Sequence, residues 1–264
     1  MPTQHDDSAN AQATSSRRIA LQVAYDGTDF LGWQRQASGR TVQVTIETML
    51  ARLAGDEYVA VTGAGRTDSG VHAEAQVAHA DIATEMNDAA LLHALGRMSP
   101  PDISINKLAT VDVTFHARFT ACRRSYRYTI MKRADPFRAR YAWQYDAHLD
   151  IDLLANAAMT LHGAHDFTAL SKRNPDTPNS VCTVESATWR DVGDAFIFEV
   201  TADRFLYGMV RMLVGIQLDV ARGRRALDDI VRAIESRDRG NQSQAAPAHG
   251  LALISVGYPD GGPF

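Results

Sequence analysis

The sequence is poor in cysteine, and the two cysteines that it has are far apart. Cys122 and Cys182 lie outside any Cys-x-x-Cys spacing. This pattern excludes a disulfide framework and a zinc site built from thiolates, because both need clustered or regularly spaced cysteines. We expect both thiols to be reduced.

The chain also lacks long hydrophobic runs. No segment approaches the roughly 18 apolar residues of a membrane span, and residues 1–17 contain no apolar stretch of the signal-peptide kind. Those first 17 residues are polar, so we predict that they form a disordered tail. Because 45% of the 264 residues are hydrophobic, the part of the chain after this tail can bury a sizeable core. We expect a globular cytoplasmic protein with no membrane partner.

Motifs for cofactors and metals are missing as well. The segment GAGRTDSG at 63–70 has neither the third glycine of a dinucleotide loop nor the Gly-Lys-Ser/Thr of a P-loop. His72 and Glu74 match the His-x-Glu of zinc-dependent base deaminases, but the paired thiolates of those enzymes are absent. His72 and His79 are seven residues apart on a predicted strand, which places them on opposite faces. We therefore predict no metal and no cofactor.

Apolar periodicity predicts the order β-α-β-β-α-β twice along the chain. We divide the folded part into an N-terminal half, residues 18–115, and a C-terminal half, residues 116–264, with the joint near 111–122. The predicted strands are 18–27, 57–62, 74–81, 102–110, 124–131, 181–191, 195–203 and 250–258, and the predicted helices are 41–55, 87–98, 151–163, 204–223 and 226–236. This order indicates an α+β duplication, with two mostly antiparallel sheets, each backed by helices, around a central cleft.

The distribution of charge points to a nucleic-acid partner although the net charge does not. A net charge of −4 argues weakly against phosphate binding. Residues 116–140, however, contain eight basic residues and one acid, Asp135. A basic run is usually a solvated face, but here Tyr126 and Tyr128 alternate with arginines, as in RNA-binding surfaces. The candidate RNA-binding residues are Arg118, Arg123, Arg124, Arg127, Lys172 and Arg173.

The glycine-rich segment 63–70 contains a candidate catalytic carboxylate. An aspartate in such a loop, here Asp68, more often forms an Asx turn than a catalytic site. Gly63, Gly65 and Gly70 would permit positive φ angles and a close approach to a ligand. Arg66, two residues away, suits a cation that faces a substrate.

Arg211 interrupts a predicted helix that is apolar on nearly every side. A buried guanidinium is costly unless it pairs with a carboxylate in good geometry. The side chain therefore either extends along its own stem to the surface or reaches the central cleft. In the second case it would hold Asp68 ionised and oriented.

Strand alternation in 124–131 places Tyr126, Tyr128 and Ile130 on one face, and Arg127 and Thr129 on the other. A tyrosine pair on a strand is more often part of a core than a stacking platform. The neighbouring arginines favour a position over a nucleobase.

Three segments together resemble one family. GAGRTDSGVHAEAQVAH, FHARFTACRRSYRYTI and FLYGMVRMLVG are similar to the hallmark segments of the A-type tRNA pseudouridine synthases (TruA), and the similarity extends from LQVAYDGTDFLGWQRQ through HGLALISVGYP. The resemblance implies a duplicated fold, a homodimer without cofactor, and isomerisation of uridine to pseudouridine at tRNA positions 38 to 40, in the anticodon stem-loop.

The same resemblance implies roles for individual residues. Asp68 becomes the nucleophilic aspartate, Arg211 its basic partner, Tyr126 the tyrosine near the flipped uracil, and Arg66 the arginine that fills space near the displaced nucleotide. Asp68 could attack the sugar, attack the base, or take a proton from the ribose. The segment DFTALSKRNPDTP resembles the family's substrate-side loop, which carries Lys172 and Arg173.

Two alternatives remain open from the residues alone. The chain could be an aspartate-dependent pseudouridine synthase acting on another RNA, or a non-catalytic RNA-binding module. A pure binder has no use for an Asp68–Arg211 pair, so that pair separates the two classes.

Overall fold

The computed structural model describes residues 15–175, 179–240 and 243–264, which form ten strands and five α-helices. The predicted tail falls mostly on residues 1–14, outside the described residues, but the first strand begins at Ser16, within the predicted tail. The strands are β1 Ser16–Tyr25, β2 Val61–Gly63, β3 His72–Ala83, β4 Ile103–Thr110, β5 Arg123–Met131, β6 Trp143–Gln144, β7 Gly163–Asp166, β8 Val181–Asp191, β9 Ala195–Ala202 and β10 Leu251–Gly257. The helices are α1 Val42–Ala54, α2 Asp88–Met98, α3 Ile151–Met159, α4 Met209–Ala221 and α5 Asp228–Ser236.

The α+β class and the repeated order of elements are confirmed. β1-α1-β2-β3-α2-β4 forms the first set, and the second runs from β5 to β10 with the short strands β6 and β7 and the helix α5 added. Local signals explain most element ends. The Thr41 side chain accepts a hydrogen bond from Val44 at the start of α1, and Gly55 ends that helix with a φ of 68°.

The prediction of two separate sheets is wrong, because all ten strands belong to one sheet. Its strand order is β4-β1-β3-β10-β5-β9-β8-β7, with β2 paired to β3 and β6 to β5. The late strand β10 is the member of the second set that meets the first set, since it pairs parallel with β3 and antiparallel with β5. This pairing satisfies backbone groups of β3 and β5 that would otherwise lie at open edges of the sheet.

One face of the sheet packs against the helices in a single core. Alternate residues of β1, including Ile19, Leu21 and Val23, are fully buried on this face. The opposite face is polar in its centre, where Arg127 forms ion pairs with Glu74 and Glu199.

The long helix predicted at 204–223 begins later than expected, at Met209. Residues 204–208 are irregular, and Gly208 adopts a φ of 68° immediately before the helix, which only glycine takes up readily. This irregular stretch and the first residues of α4 border the cavity described below.

Within the described ranges, no helix is long and apolar enough to cross a membrane. Cys122 and Cys182 are both free, as expected.

Candidate active site

A cavity of about 1020 Å³ opens on the helix side of the sheet, between its two halves. Residues 61–69 form one wall and residues 203–211 the other, while Arg118, Arg124 and Tyr126 close one end. The cavity therefore brings the glycine-rich segment, β5 and the start of α4 to one place.

Asp68 and Arg211 meet in this cavity. The Arg211 Nη1 atom lies 3.2 Å from Asp68 Oδ2, and both side chains are mostly buried. Arg211 Nε also donates to the Ala246 carbonyl at 2.7 Å, so the guanidinium is held on both sides. The contact expected from the sequence is present, and the alternative of an arginine extending to the surface does not apply. A carboxylate fixed by a clamped guanidinium is pre-oriented for reaction with a substrate.

The loop that carries Asp68 is anchored by its backbone and by neighbouring side chains. The Trp33 N–H donates to the Thr67 carbonyl at 3.1 Å, and the Tyr25 hydroxyl lies 2.8 Å from Thr67 Oγ1. The Gln76 amide donates to the Gly65 carbonyl at 3.0 Å. These bonds hold the residues on both sides of Arg66, and so fix the start of the turn that presents Asp68.

The glycines of this loop have different roles, and the expectation of positive φ at all three holds only for Gly70. Gly70 has a φ of 77°. A side chain on Gly63 would place its Cβ 2.6 Å from the Trp33 indole, so this glycine admits a tryptophan rather than a ligand. Gly65 has open space where a Cβ would lie.

Tyr126 is buried at the end of the cavity. Its ring packs edge-to-face against Phe205, with centroids 5.1 Å apart. Burial raises the pKa of the Tyr126 phenol, and the nearby Tyr25 and Asp68 add to the rise, so the hydroxyl stays protonated at neutral pH. Tyr128, on the same face, donates to the Pro247 carbonyl at 2.8 Å and belongs to the core.

Arg124 is bound differently from the RNA contact that the sequence predicts. Its two Nη atoms donate to four backbone carbonyls at 2.8–3.0 Å, those of Ala64, Arg118, Ala121 and Asp203. An arginine has four Nη hydrogens, and all four are used. The desolvation that accompanies this burial lowers the pKa of Arg124. Arg124 ties the Asp68 loop to the other loops around the cavity and has no Nη donor left for a phosphate.

Arg123 and Arg127 lie outside the cavity. Strand alternation turns Arg127 to the opposite face of the sheet from Tyr126, where it pairs with Glu74 and Glu199, each at 2.9 Å. Arg123 is exposed and 3.8 Å from Glu185. The structure does not bring either of them together with Asp68.

The remaining predicted residues surround the cavity. Arg66 and Arg118 are exposed and line it, as does Arg173. Lys172 lies beside it, with Nζ 5.0 Å from the centre of the Tyr207 ring. The charged side chains that line the cavity are six arginines and two aspartates, namely Arg66, Arg118, Arg124, Arg173, Arg204, Arg211, Asp68 and Asp203. The cavity is therefore basic although the whole chain is acidic.

Sequence reasoning missed two exposed aromatic side chains at the rim, Phe119 and Tyr207. A usable signal existed for Phe119, because it is a bulky apolar residue inside a basic run and outside any predicted strand or helix. No comparable signal marks Tyr207, which lies within the helix predicted at 204–223.

Among the described residues there is no group of three or more His, Cys, Asp or Glu side chains that could hold a metal ion. His72 and His79 have separate partners. The Gly27 N–H donates to His72 at 3.0 Å, and the Ala117 N–H donates to His79 at 3.1 Å.

Comparison with known proteins gives consistent results. The family model described as tRNA pseudouridine synthase matches residues 21–120 and 157–259. A tRNA pseudouridine synthase A from Parabacteroides distasonis is 39% identical, over 92% of this chain and 97% of the relative. The enzymes of the same name from Exiguobacterium sp. and Nostoc sp. are 40% and 41% identical, over 92% and 94% of this chain and 98% and 89% of the relatives.

The matched ranges contain Asp68 and Arg211. They leave out residues 121–156, which include Tyr126. The full-length relatives cover that gap as well. This chain belongs to the tRNA pseudouridine synthase family, within its A type.

Proposed function

We propose that this protein is an isomerase that converts uridine to pseudouridine in tRNA, at positions 38 to 40 of the anticodon stem-loop. The observation that carries the proposal is the Asp68–Arg211 pair, 3.2 Å apart inside a basic cavity. The curated relatives bear the name of this enzyme over nearly the whole chain.

The reaction breaks the N1–C1′ glycosidic bond, turns the uracil, and joins C5 to C1′. The hydrogen on C5 is lost as a proton and N1 gains one, so no redox equivalent or group donor is consumed. Asp68 acts on the nucleotide as a carboxylate, either by attack on the sugar or base or by proton abstraction from the ribose. In each route Arg211 fixes the direction of the carboxylate.

The target uridine has to leave the base stack before Asp68 can reach it. Tyr126, at the end of the cavity, supplies a flat surface for the flipped uracil, and its protonated hydroxyl can donate to a base carbonyl. Arg66, exposed two residues before Asp68, occupies the space that the flipped nucleotide vacates. Arg118, Lys172 and Arg173 bind phosphates around the entrance.

The proposal includes a homodimer that acts in the cytoplasm without a cofactor. Conversion of one uridine at a time needs only the groups named above, since the chemistry is an internal rearrangement. The dimer is testable by the mass of the protein in solution.

The direct test uses an unmodified tRNA transcript with uridines at positions 38 to 40. Wild-type protein is expected to form pseudouridine at these positions, measured by chemical mapping of the product. Asp68→Asn keeps the size of the side chain and is expected to reduce the rate by at least about a thousandfold, the scale of loss when a nucleophile is removed. Binding of tRNA by this variant stays close to wild type.

A transcript with cytidine at positions 38 to 40 is the matched control. Pseudouridine at other positions of that control would move the proposal to a different target. Full turnover by Asp68→Asn would remove the mechanism, and tRNA binding by wild type with no product would identify a non-catalytic RNA-binding module.

A further inference from the structure

Phe119 projects from the rim of the cavity that contains Asp68. Its side chain is 76% exposed and lines the cavity next to Arg118. A single exposed apolar side chain is common on protein surfaces and needs no explanation by itself. What distinguishes Phe119 is the rigid support beneath it.

Three aromatic rings form a column from the sheet to the surface. His79 on β3 is buried and lies against His116, with ring centroids 4.7 Å apart. His116 stacks on Phe119 with centroids 4.3 Å apart and planes inclined by 31°. His116 therefore supports one side of the phenyl ring, and most of Phe119 remains exposed.

The loop below the column is fixed at Ala117, which is fully buried. The Ala117 N–H donates to His79 Nδ1 at 3.1 Å, and its carbonyl accepts from the Tyr258 hydroxyl at 2.8 Å. Both polar groups of this residue are thus held by side chains from elsewhere, one on β3 and the other on the residue that follows β10.

The backbone at Phe119 itself is held by His116. His116 Nδ1 accepts from the N–H groups of Arg118 and Phe119, each at 3.2 Å. The Arg118 carbonyl accepts from Arg124 at 2.8 Å. The ring is therefore pre-organised, and a partner that stacks on it loses little affinity to ordering of the loop.

Charge near the ring favours a nucleic acid as that partner. The Arg118 guanidinium carbon lies over the Phe119 ring, 5.6 Å from its centroid, and Phe119 is still 76% exposed. An aromatic face beside an exposed cation matches the base and the phosphate of one nucleotide. A protein surface would meet the same excess of arginines that lines the cavity, without the phosphates to neutralise it.

We propose that the exposed ring of Phe119 stacks on a nucleobase of the tRNA, next to the uridine that enters the cavity, while Arg118 binds the adjoining phosphate. Phe119 is a positioning residue, since it sets where the RNA rests on the rim and touches no reacting atom. The inference rests on the proposed function, and it adds a docking contact outside the catalytic pair.

Loss of one base–aromatic stack corresponds to about a 5- to 150-fold loss of affinity. Phe119→Ala is expected to raise the KM and the dissociation constant for tRNA by about tenfold, with kcat changed less than twofold. Phe119→Tyr or Phe119→Trp restores both constants, whereas Phe119→Leu does not, because it keeps apolar bulk without a stacking face. Phe137→Ala is the matched control, since Phe137 is 92% exposed and does not line this cavity.

A fluorescence titration tests the stacking directly. In the inactive Asp68→Asn protein, Phe119→Trp is expected to add emission that tRNA quenches, compared with the Asp68→Asn parent, while Phe137→Trp adds emission that tRNA leaves unchanged. Equal behaviour of the two tryptophans would overturn the inference. Full rescue by Phe119→Leu would also overturn it. A Phe119→Ala variant whose assembly has a different mass in solution without tRNA would make Phe119 a contact between copies of the chain, and would overturn it as well.

The two proposals fail separately. If the enzyme is active and Phe119→Ala leaves its KM unchanged, only the proposed stacking contact is contradicted. If the wild-type chain forms no pseudouridine while tRNA still quenches the Phe119→Trp emission, the proposed reaction is contradicted and the stacking contact is supported.

Discussion

Arg211 and Arg124 both place a guanidinium at the cavity, but their hydrogen-bond partners give them different roles. Arg211 connects Asp68 to the Ala246 carbonyl, and Arg124 connects four carbonyls from separate loops. The sequence offers the first as one of two alternatives, because a cation inside an apolar helix either extends to the surface or pairs with a carboxylate. It does not predict the second, because the partners are backbone groups that no residue type reveals.

We predict that Arg124→Ala destabilises the protein without weakening its electrostatic attraction to tRNA. Four carbonyls lose their donor, so the free energy of unfolding should fall by about 2–4 kcal/mol, measured by urea denaturation. The turnover rate should fall as well, because the Ala64 carbonyl anchors the Asp68 loop. The slope of log affinity against log salt concentration should stay at the wild-type value.

Arg123→Ala is the control for that variant, because Arg123 has one exposed ion pair at 3.8 Å. Surface pairs of this kind contribute little, so its unfolding free energy should remain near that of wild type. An Arg124→Ala protein with wild-type stability and a lower salt slope would restore the RNA contact that the sequence suggested.

At the scale of elements, β3 shows what periodicity can and cannot reveal. Its predicted range, 74–81, lies inside the observed His72–Ala83, since alternation marks the centre of a strand better than its ends. Alternation does not show which strands flank it. β1 and β10 are its neighbours along the sheet, and β10 is 180 residues away in the pair Ala252–His72. Alternation therefore could not predict that β10 joins the two sets of strands into one sheet.

We predict that acid weakens the fold through His79, also on β3. Burial, together with smaller contributions from the nearby His116 and Arg18, lowers the pKa of His79 to about 4, against the opposing effect of Asp81. Between pH 6.5 and 4 the unfolded chain binds a proton at this site and the folded chain does not. The free energy of unfolding should therefore fall as the pH falls through this window, by up to about 3 kcal/mol.

The measurement is urea denaturation at several pH values between 4 and 7. His79→Asn keeps an acceptor for the Ala117 N–H but cannot titrate, so its stability should vary less over the same range. Parallel pH profiles for the variant and wild type would assign the acid sensitivity to other groups.

On the scale of the whole molecule, the two faces of the sheet separate the charges. The helix side carries the cavity with its six arginines and two aspartates. On the opposite face arginines are neutralised in place, as in the pairs of Arg127 and Arg190 with Glu199. An acidic protein can thus present one basic surface, which explains why the net charge alone gave the wrong indication about its partner.

We predict that salt sensitivity of tRNA binding belongs to the cavity side. Arg118, Lys172 and Arg173 changed together to alanine should lower the slope of log affinity against log salt concentration by about two, since each lost phosphate contact removes roughly 0.7 to 0.9. Arg123, Arg127 and Arg190 changed together remove the same charge from outside the cavity and should leave the slope unchanged. Binding to Asp68→Asn protein at several salt concentrations measures both, and equal slopes for the two triple variants would contradict the assignment.

The position of β10 also gives the molecule an order of assembly. During synthesis, Asp68 leaves the ribosome long before the strand that joins its half of the sheet to the half with Tyr126 and Arg211. The Ala246 carbonyl that clamps Arg211 lies in the same late segment. A nascent chain can form local hairpins early, but pairing across 180 residues waits for translation of residues 246–257. The contact between Asp68 and Arg211, with the Ala246 carbonyl that holds Arg211, is therefore completed only after residues 246–257 have been made.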